Sequence, residues 1–304
     1  MDASSGRFEA WISAFRLRTL PLALASILLG SFLAAYSDLF RLPVLLLCIL
    51  TTILLQVLSN LANDYGDSVH GADSTHRKGP ARAVQSGIIS AKSMKRAMTL
   101  FIVLSLISGI TLLLVSFGLD LKMLLIFLGL GILSIVAAVF YTSGNRPYGY
   151  SGFGDLSVMI FFGFVGVLGT YYLHTGTFNQ YNLLLAATSG FFATAVLNIN
   201  NIRDIDSDRQ AGKKSIPVRI GRPKAVIYHW ILLGAGWSCA LLYTLIQYES
   251  PVQLLFVLSF PLFLMNGWNV AKKKDSEALD PYLKQMALST LLFVILIGIG
   301  MIAG

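Results

Sequence analysis

Residues 42–67 read LPVLLLCILTTILLQVLSNLANDYGD. The first part, 42–62, carries no charge and has the roughly 20 residues a helix needs to cross the hydrocarbon core of a bilayer. It does not end in a neutral turn, because Asn60, Asn63, Asp64 and Asp67 crowd its last residues and the positions just beyond. If the helix continues past the apolar part, positions 60, 64 and 67 share one face. A spanning helix would then present a stripe of oxygen ligands at its end.

Eight further apolar runs lie outward from this one, over roughly 20–37, 98–119, 122–141, 156–173, 182–199, 226–247, 251–271 and 286–304. Apolar residues make up 55% of the chain and charged residues 12%, about half the charged share of a soluble domain. The expectation is an all-α integral membrane protein of nine transmembrane helices, forming a single domain over 1–304. Of the 23 Lys and Arg, all but Arg41 and Lys122 fall in the N-terminal segment and in alternate connections. The positive-inside rule places that rich side, with the N-terminus, in the cytoplasm and the C-terminus outside. The formal net charge of +8 therefore needs no nucleic-acid partner. Topology, contact with anionic membrane lipid and an anionic substrate account for it.

No cleavable signal peptide is expected, since a polar, amphipathic stretch bearing Phe8, Trp11, Ile12 and Phe15 precedes the first run and suits the membrane surface. Cys48 and Cys239 sit inside apolar runs as buried, unpaired thiols, and the four His residues show no zinc spacing.

Two long connections, 64–97 and 200–225, carry most of the unusual polar chemistry, as long ordered connections often do. They resemble each other. The first holds Asn60, Asn63, Asp64, Asp67 and Gly71, and the second holds Asn200, Asn201, Asp204, Asp208 and Gly212. Each Asn-to-Asp step (60 to 64, 200 to 204) and each Asp-to-Gly step (67 to 71, 208 to 212) is four residues, and a basic, Pro-containing stretch follows both. The spacing points to two four-helix pseudo-repeats of the same orientation plus a ninth helix. An inverted-repeat transporter would need opposite orientations.

Six of the 15 acidic residues lie in these segments: Asp64, Asp67, Asp73, Asp204, Asp206 and Asp208. Two facing stripes of carboxylates repel unless a hard cation joins them, and Mg²⁺ takes a few carboxylates plus substrate phosphates. Asp206 falls off its stripe and suits solvent. Arg77, Lys78 and Arg82 follow the first set, and Arg203, Lys213 and Lys214 lie within or after the second. Carboxylates for a metal beside cations for phosphate are what a metal–diphosphate complex requires. The apolar setting suits a long hydrocarbon attached to that diphosphate, at about 0.8 kcal/mol per buried CH₂. It also shields a carbocation from water, and aromatic faces can stabilise one.

The stretches Asn63-Asp64-Tyr65-Gly66-Asp67 and Asp204-Ile205-Asp206-Ser207-Asp208 resemble the paired N-D-x-x-D and D-x-x-x-D motifs of the UbiA superfamily of intramembrane aromatic prenyltransferases. Within it, Arg16 to Pro21, Gln56 to Asp73, Arg82 to Gly87, Arg146 to Tyr150 and Asn200 to Asp204 are similar to the branch acting on 1,4-dihydroxy-2-naphthoate in menaquinone synthesis. The family's further Asp, four after the second, is Gly71 here, and Asp73 stands two later. The resemblance implies nine helices in the bacterial cytoplasmic (inner) membrane. It implies Mg²⁺ on Asp64, Asp67, Asp204 and Asp208, supported by Asn60, Asn63, Asn200 and Asn201. Arg77, Lys78, Arg82, Lys213 and Lys214, with Arg203, would hold the diphosphate of a polyprenyl donor. The naphthoate ring would attack the allylic cation through the carbon bearing its carboxylate, and CO₂ would leave to give demethylmenaquinol.

Asp67 or Tyr148 could assist proton removal from a ring hydroxyl. On the acceptor side stand Tyr141, Arg146, Tyr148 and Tyr150. Arg146, the sole basic residue of its connection, suits a carboxylate. Asp155 reads equally as a helix N-cap or a site residue, and the Gly-rich stretch 144–154 as a turn or a lid. The rival enzyme reading is another acceptor of the same family, such as 4-hydroxybenzoate. A phosphatidyltransferase would need a D-G-x-x-A-R signature, which is absent. A transporter would need charges near the bilayer midplane, where this chain has almost none.

Overall fold

The computed structural model of the protein describes residues 3–69, 83–144 and 147–304. No strand occurs among them, and nine helices are long and apolar enough to cross a membrane, so the chain is an integral membrane protein as expected. A first helix, α1 (Ala3–Phe15), is followed by α2 (Leu20–Tyr36), α3 (Leu42–Val69), α4 (Ala91–Phe117) and α5 (Leu121–Phe140). Then come α6 (Gly154–Thr175), α7 (Asn182–Arg203), α8 (Ile216–Ile246), α9 (Pro251–Lys272) and α10 (Glu277–Ala303).

The connections read as long loops are partly helical. Helix α3 runs through Asp64 and Asp67 to Val69, α4 begins at Ala91, and a short helix Ile205–Gln210 fills much of the gap between α7 and α8. Hydropathy marks where a helix leaves the apolar layer. Its backbone hydrogen bonds continue for as long as φ/ψ and side-chain entropy allow. The two acidic segments are therefore held by helices. They differ, however: α3 carries its acids on an unbroken helix, whereas α7 stops at Asp204 (φ −98°, ψ 12°) and Asp208 starts from a new turn. The Asp208 amide still donates to the Asp204 carbonyl at 2.8 Å, which keeps the two acids one turn apart.

Helix α1 splits the four apolar residues read on it. Ala10 and Ala14 are buried with Val57, Leu58 and Leu61, with Trp11 and Phe15 packed alongside, while Phe8 and Ile12 face outward. Helix α5 has no buried residue and is the most apolar span, the composition of a helix whose surroundings are lipid. The other half has a dense aromatic core in which Phe192 meets Phe263 (4.5 Å) and Phe293 (5.2 Å), and Trp237 meets Phe256 (5.6 Å).

Helix α6 widens to i→i+5 turns over Met159–Gly169, a local form that often accompanies function. The Phe162 carbonyl there accepts hydroxyls from Ser26 (2.6 Å) and Ser189 (2.9 Å), so α2 and α7 stitch the widened stretch in place. On the face away from the acidic segments, Arg41 is spent on structure. Its amide donates to His174 Nδ1 (3.1 Å), and its guanidinium donates to the carbonyls of Ser116 and Val115 at the end of α4, where a cation is favoured. Cys48 is buried and Cys239 half-buried, both free.

Candidate active site

The ends of α3, α5 and α7 and the starts of α2, α6 and α10 meet around a cavity of about 260 Å³. Tyr150 is its hub. The Tyr150 hydroxyl donates to Asp67 Oδ1 at 2.6 Å, its ring lies 4.7 Å below the Lys213 ammonium, and its carbonyl accepts the Lys214 amide at 2.8 Å. Lys213 then joins the two motifs, lying 3.2 Å from Asp67 Oδ1 and 3.5 Å from Asp208 Oδ1. Burial pushes the Asp208 carboxyl up, Lys213 opposes this, and the charges of Asp204 and Asp67 add to it, leaving it at about 6.

Among the described residues, no three of His, Cys, Asp or Glu close into a metal-sized group. The four acids expected to hold the metal are not placed alike. Asp64 accepts the amides of Ala83 (3.2 Å) and Val84 (3.4 Å), so it anchors the chain where it re-enters the described structure and does not line the cavity. Asp204 is clamped by Arg203, whose Nε and Nη2 reach its two oxygens at 2.8 and 2.7 Å. The residues that face the cavity are Asp67, Asp204 and Asp208, with Asn63, Asn200 and Asn201 beside them. These hard oxygen donors fit Mg²⁺, and the Lys213 ammonium between Asp67 and Asp208 shows that the pair accommodates a cation.

Other placements also differ from the sequence reading. Arg203, expected to hold the diphosphate, is engaged by neighbouring side chains. Its guanidinium is taken up by Asp204, Asn200 Oδ1 (2.8 Å) and Asp280, and its side chain is almost fully buried. Lys214 is exposed and does not line the cavity. Tyr148 donates its hydroxyl to the Ala137 carbonyl (2.8 Å) and accepts from the Ser157 hydroxyl (3.1 Å), and burial raises its pKa, so it holds its proton. Tyr141 lies edge-on to Tyr148 (5.4 Å), with burial and the neighbouring acids Asp155, Asp208 and Asp67 keeping its hydroxyl protonated. Asp155 does not cap α6. It is buried, accepts the Tyr228 hydroxyl at 3.2 Å and faces the cavity. Asp206 is solvent-exposed, with Arg209 3.8 Å away. Arg77, Lys78, Arg82, Asp73 and Arg146 lie outside the described residues.

Sequence reasoning missed three features. Asn60 uses its amide nitrogen on the α1–α2 joint, donating to the Phe15 carbonyl (2.9 Å) and Thr19 Oγ1 (3.2 Å), and Gln56 adds a bond to the same hydroxyl (3.0 Å). These bonds hold Arg16 in the left-handed region (φ 48°, ψ 52°), an uncommon backbone for Arg, with Arg16 and Arg18 lining the cavity. Asp280, at the start of α10, bridges Arg203 and Arg18 (3.2 Å). An Asp-Pro pair reads in sequence as an ordinary helix start, which hides it. Gly66, inside the first motif, leaves no room for a side chain, because a Cβ would stand 2.5 Å from the Thr142 carbonyl. Thr142 Oγ1 in turn donates to Ala62 O (3.0 Å) and Asn63 Oδ1 (3.1 Å). Gly66→Ala is expected to overpack this contact by about 1–3 kcal/mol and to lower turnover about tenfold by moving Asn63 and Tyr141. Steady-state assay together with thermal inactivation checks it, and wild-type values in both would show the contact to be slack.

The polar cavity opens past Asn63, Tyr141, Val158 and Phe162 into a second, mainly apolar one of about 680 Å³ between α2, α3, α4, α5 and α6.

Comparison with known proteins places this geometry. The chain is 46% identical over 300 residues to the 1,4-dihydroxy-2-naphthoate octaprenyltransferase of Haemophilus influenzae, covering 98% of this chain and 97% of that one. It is 45% identical over 293 residues to the protein of the same name from Escherichia coli, with 95% of each covered. The fold matches a UbiA homolog from Aeropyrum pernix (TM-score 0.69, 18% identity, 95% and 98% covered). It also matches one from Archaeoglobus fulgidus bound to DMAPP and Mg²⁺ (TM-score 0.62, 18% identity, 94% and 98% covered). The profile of the UbiA prenyltransferase family spans residues 23–299, and the chain belongs to that family.

Proposed function

We propose that this protein transfers a polyprenyl group from its diphosphate to 1,4-dihydroxy-2-naphthoate, releasing diphosphate and CO₂ and giving demethylmenaquinol for menaquinone synthesis. One observation carries this reading. An acidic cluster bridged by a lysine opens directly onto a large apolar cavity, in a chain that shares 45–46% of its residues with naphthoate prenyltransferases along nearly its full length.

Asp67, Asp204 and Asp208, with Asn63, Asn200 and Asn201, would hold Mg²⁺. When bound, the metal supplies neutralisation of the diphosphate, which makes it a good leaving group. Lys213 is poised to leave the acids and hold a phosphate oxygen, since its stem is long and its ammonium is shared rather than buried in one pair. Tyr150 keeps Asp67 oriented during that exchange. The prenyl chain would pass the Tyr141–Phe162 junction into the apolar cavity, and those rings are placed to face the allylic cation. Ile110 and Leu130 line that cavity while remaining partly exposed on the outer surface. A long tail therefore has a way out into membrane lipid, and the cavity sets no strict length. The whole chain acts as one domain, in the bacterial cytoplasmic membrane, with the site on the cytoplasmic face where Lys and Arg concentrate.

Turnover of the naphthoate should stop in chelator and return with Mg²⁺, and Mg²⁺ should raise the thermal-inactivation midpoint of the protein in detergent. Full activity in chelator would sink the metal assignment. Prenylation of 4-hydroxybenzoate but not of the naphthoate would sink the acceptor assignment.

A further inference from the structure

Two of the four tyrosine and arginine positions named for the acceptor turn to other work: Tyr150 orients Asp67, and Tyr148 bonds to the Ala137 carbonyl. One wall of the polar cavity has a different character. Leu22, Ala193 and Ala287 form one contiguous apolar patch there, with Val158, Phe162 and Val196 packed against it. Arg18 and Lys284 also line the cavity, at the starts of α2 and α10. The patch thus runs from two cations to the junction where the apolar cavity begins, since Val158 and Phe162 line both.

We propose that this wall is the acceptor subsite: an aromatic carboxylate lies flat on Leu22, Ala193 and Ala287 with its carboxylate toward Arg18 and Lys284. This inference rests on the naphthoate reading above and names the residues that reading lacks. Ala193 and Ala287 are the smallest side chains of this wall, and larger residues there would narrow the cavity. Arg18 already has an acid partner, Asp280, at 3.2 Å, but the pair is partly exposed and so loosely held. Asp280 keeps Arg203 as its second partner, so an arriving carboxylate replaces an exposed contact without stranding a buried acid. The same Asp280 would repel a diphosphate far more than a single carboxylate, which assigns Arg18 and Lys284 to the acceptor.

The chemistry balances on this placement. The ring carbon bearing the carboxylate forms a bond to the allylic carbon as the bond from that carbon to the diphosphate oxygen breaks. The electron pair of the carbon–carboxylate bond then returns to the ring as CO₂ departs. The net step requires no external proton acceptor.

Arg18→Ala and Lys284→Ala, assayed in the full-length protein with polyprenyl diphosphate and the naphthoate, should each raise the acceptor KM about tenfold while the donor KM stays within about twofold, the pattern of lost ground-state binding. Inhibition by 1,4-dihydroxynaphthalene, which lacks the carboxylate, should be equal in wild type and both variants. Ala287→Leu should weaken both naphthoate use and that inhibition, with donor KM again unchanged, which also reports correct folding. A rise in donor KM, an unchanged acceptor KM, or equal loss of the carboxylate-free inhibitor in the Arg18 and Lys284 variants would overturn the assignment. Failure of the wild type to use the naphthoate at all would instead overturn the function on which it rests.

Discussion

Asp67→Asn is expected to lower prenyl transfer by roughly 10²–10³-fold, the scale for losing one preorganised electrostatic group at a reacting centre. The substitution keeps the shape and the Tyr150 hydrogen bond but removes the charge that, with Asp208, holds Lys213 between the motifs. Mg²⁺ should then no longer raise the thermal-inactivation midpoint. Tyr150→Phe separates orientation from charge. The carboxylate remains but loses its 2.6 Å donor, so about a tenfold loss is expected, with the Mg²⁺ response retained but weakened. If Asp67→Asn turned over normally, the cluster around Lys213 would not be the reacting centre.

Arg203→Ala should have the largest effect on stability. Both Arg203 and Asp204 are buried, and removing the guanidinium leaves the Asp204 carboxylate uncompensated, at about 3–5 kcal/mol for a broken buried pair. Loss of both stability and activity is expected, read as thermal inactivation and residual turnover in membranes. Arg203→Lys keeps the charge but cannot make the two-pronged contact with Asp204, so the protein should survive with misplaced Asp204 and weakened Mg²⁺ dependence. Asp280→Asn tests the same chain of contacts from its far end. It removes one anchor of Arg203 and should raise the Mg²⁺ concentration needed for half-maximal turnover, with Asp280→Glu restoring most of it. A wild-type Mg²⁺ response in both Arg203→Lys and Asp280→Asn would show that Arg203 only stabilises the fold.

Much of the site lies in residues whose types were visible in sequence and whose partners were not. Asp67, Asp204 and Asp208 announce themselves as acids at the ends of apolar helices. Asp64 has the same signature, yet its oxygens go to the Ala83 and Val84 amides. Arg203 reads in sequence as one more phosphate-binding cation beside the second motif, and Asp280, 77 residues away, pairs with it. Arg18 and Asp280 are 262 residues apart, so no spacing rule could join them. Tyr148 and Tyr150 are two residues apart in one short turn, and only packing decides that one meets a helix carbonyl and the other Asp67.

The sequence by itself determined the quantities that depend on local solvation: nine helices that need lipid, the side on which Lys and Arg gather, and two acidic segments of matching spacing. Each follows from how a short window of residues partitions between water and hydrocarbon. The tertiary structure alone decided which acids face the cavity, which cations are already spent, and that α10 contributes Asp280 and Lys284. Those outcomes turn on contacts between residues tens to hundreds apart. A buried charge must be paired wherever a partner can be found, and chain position places no limit on where that partner lies.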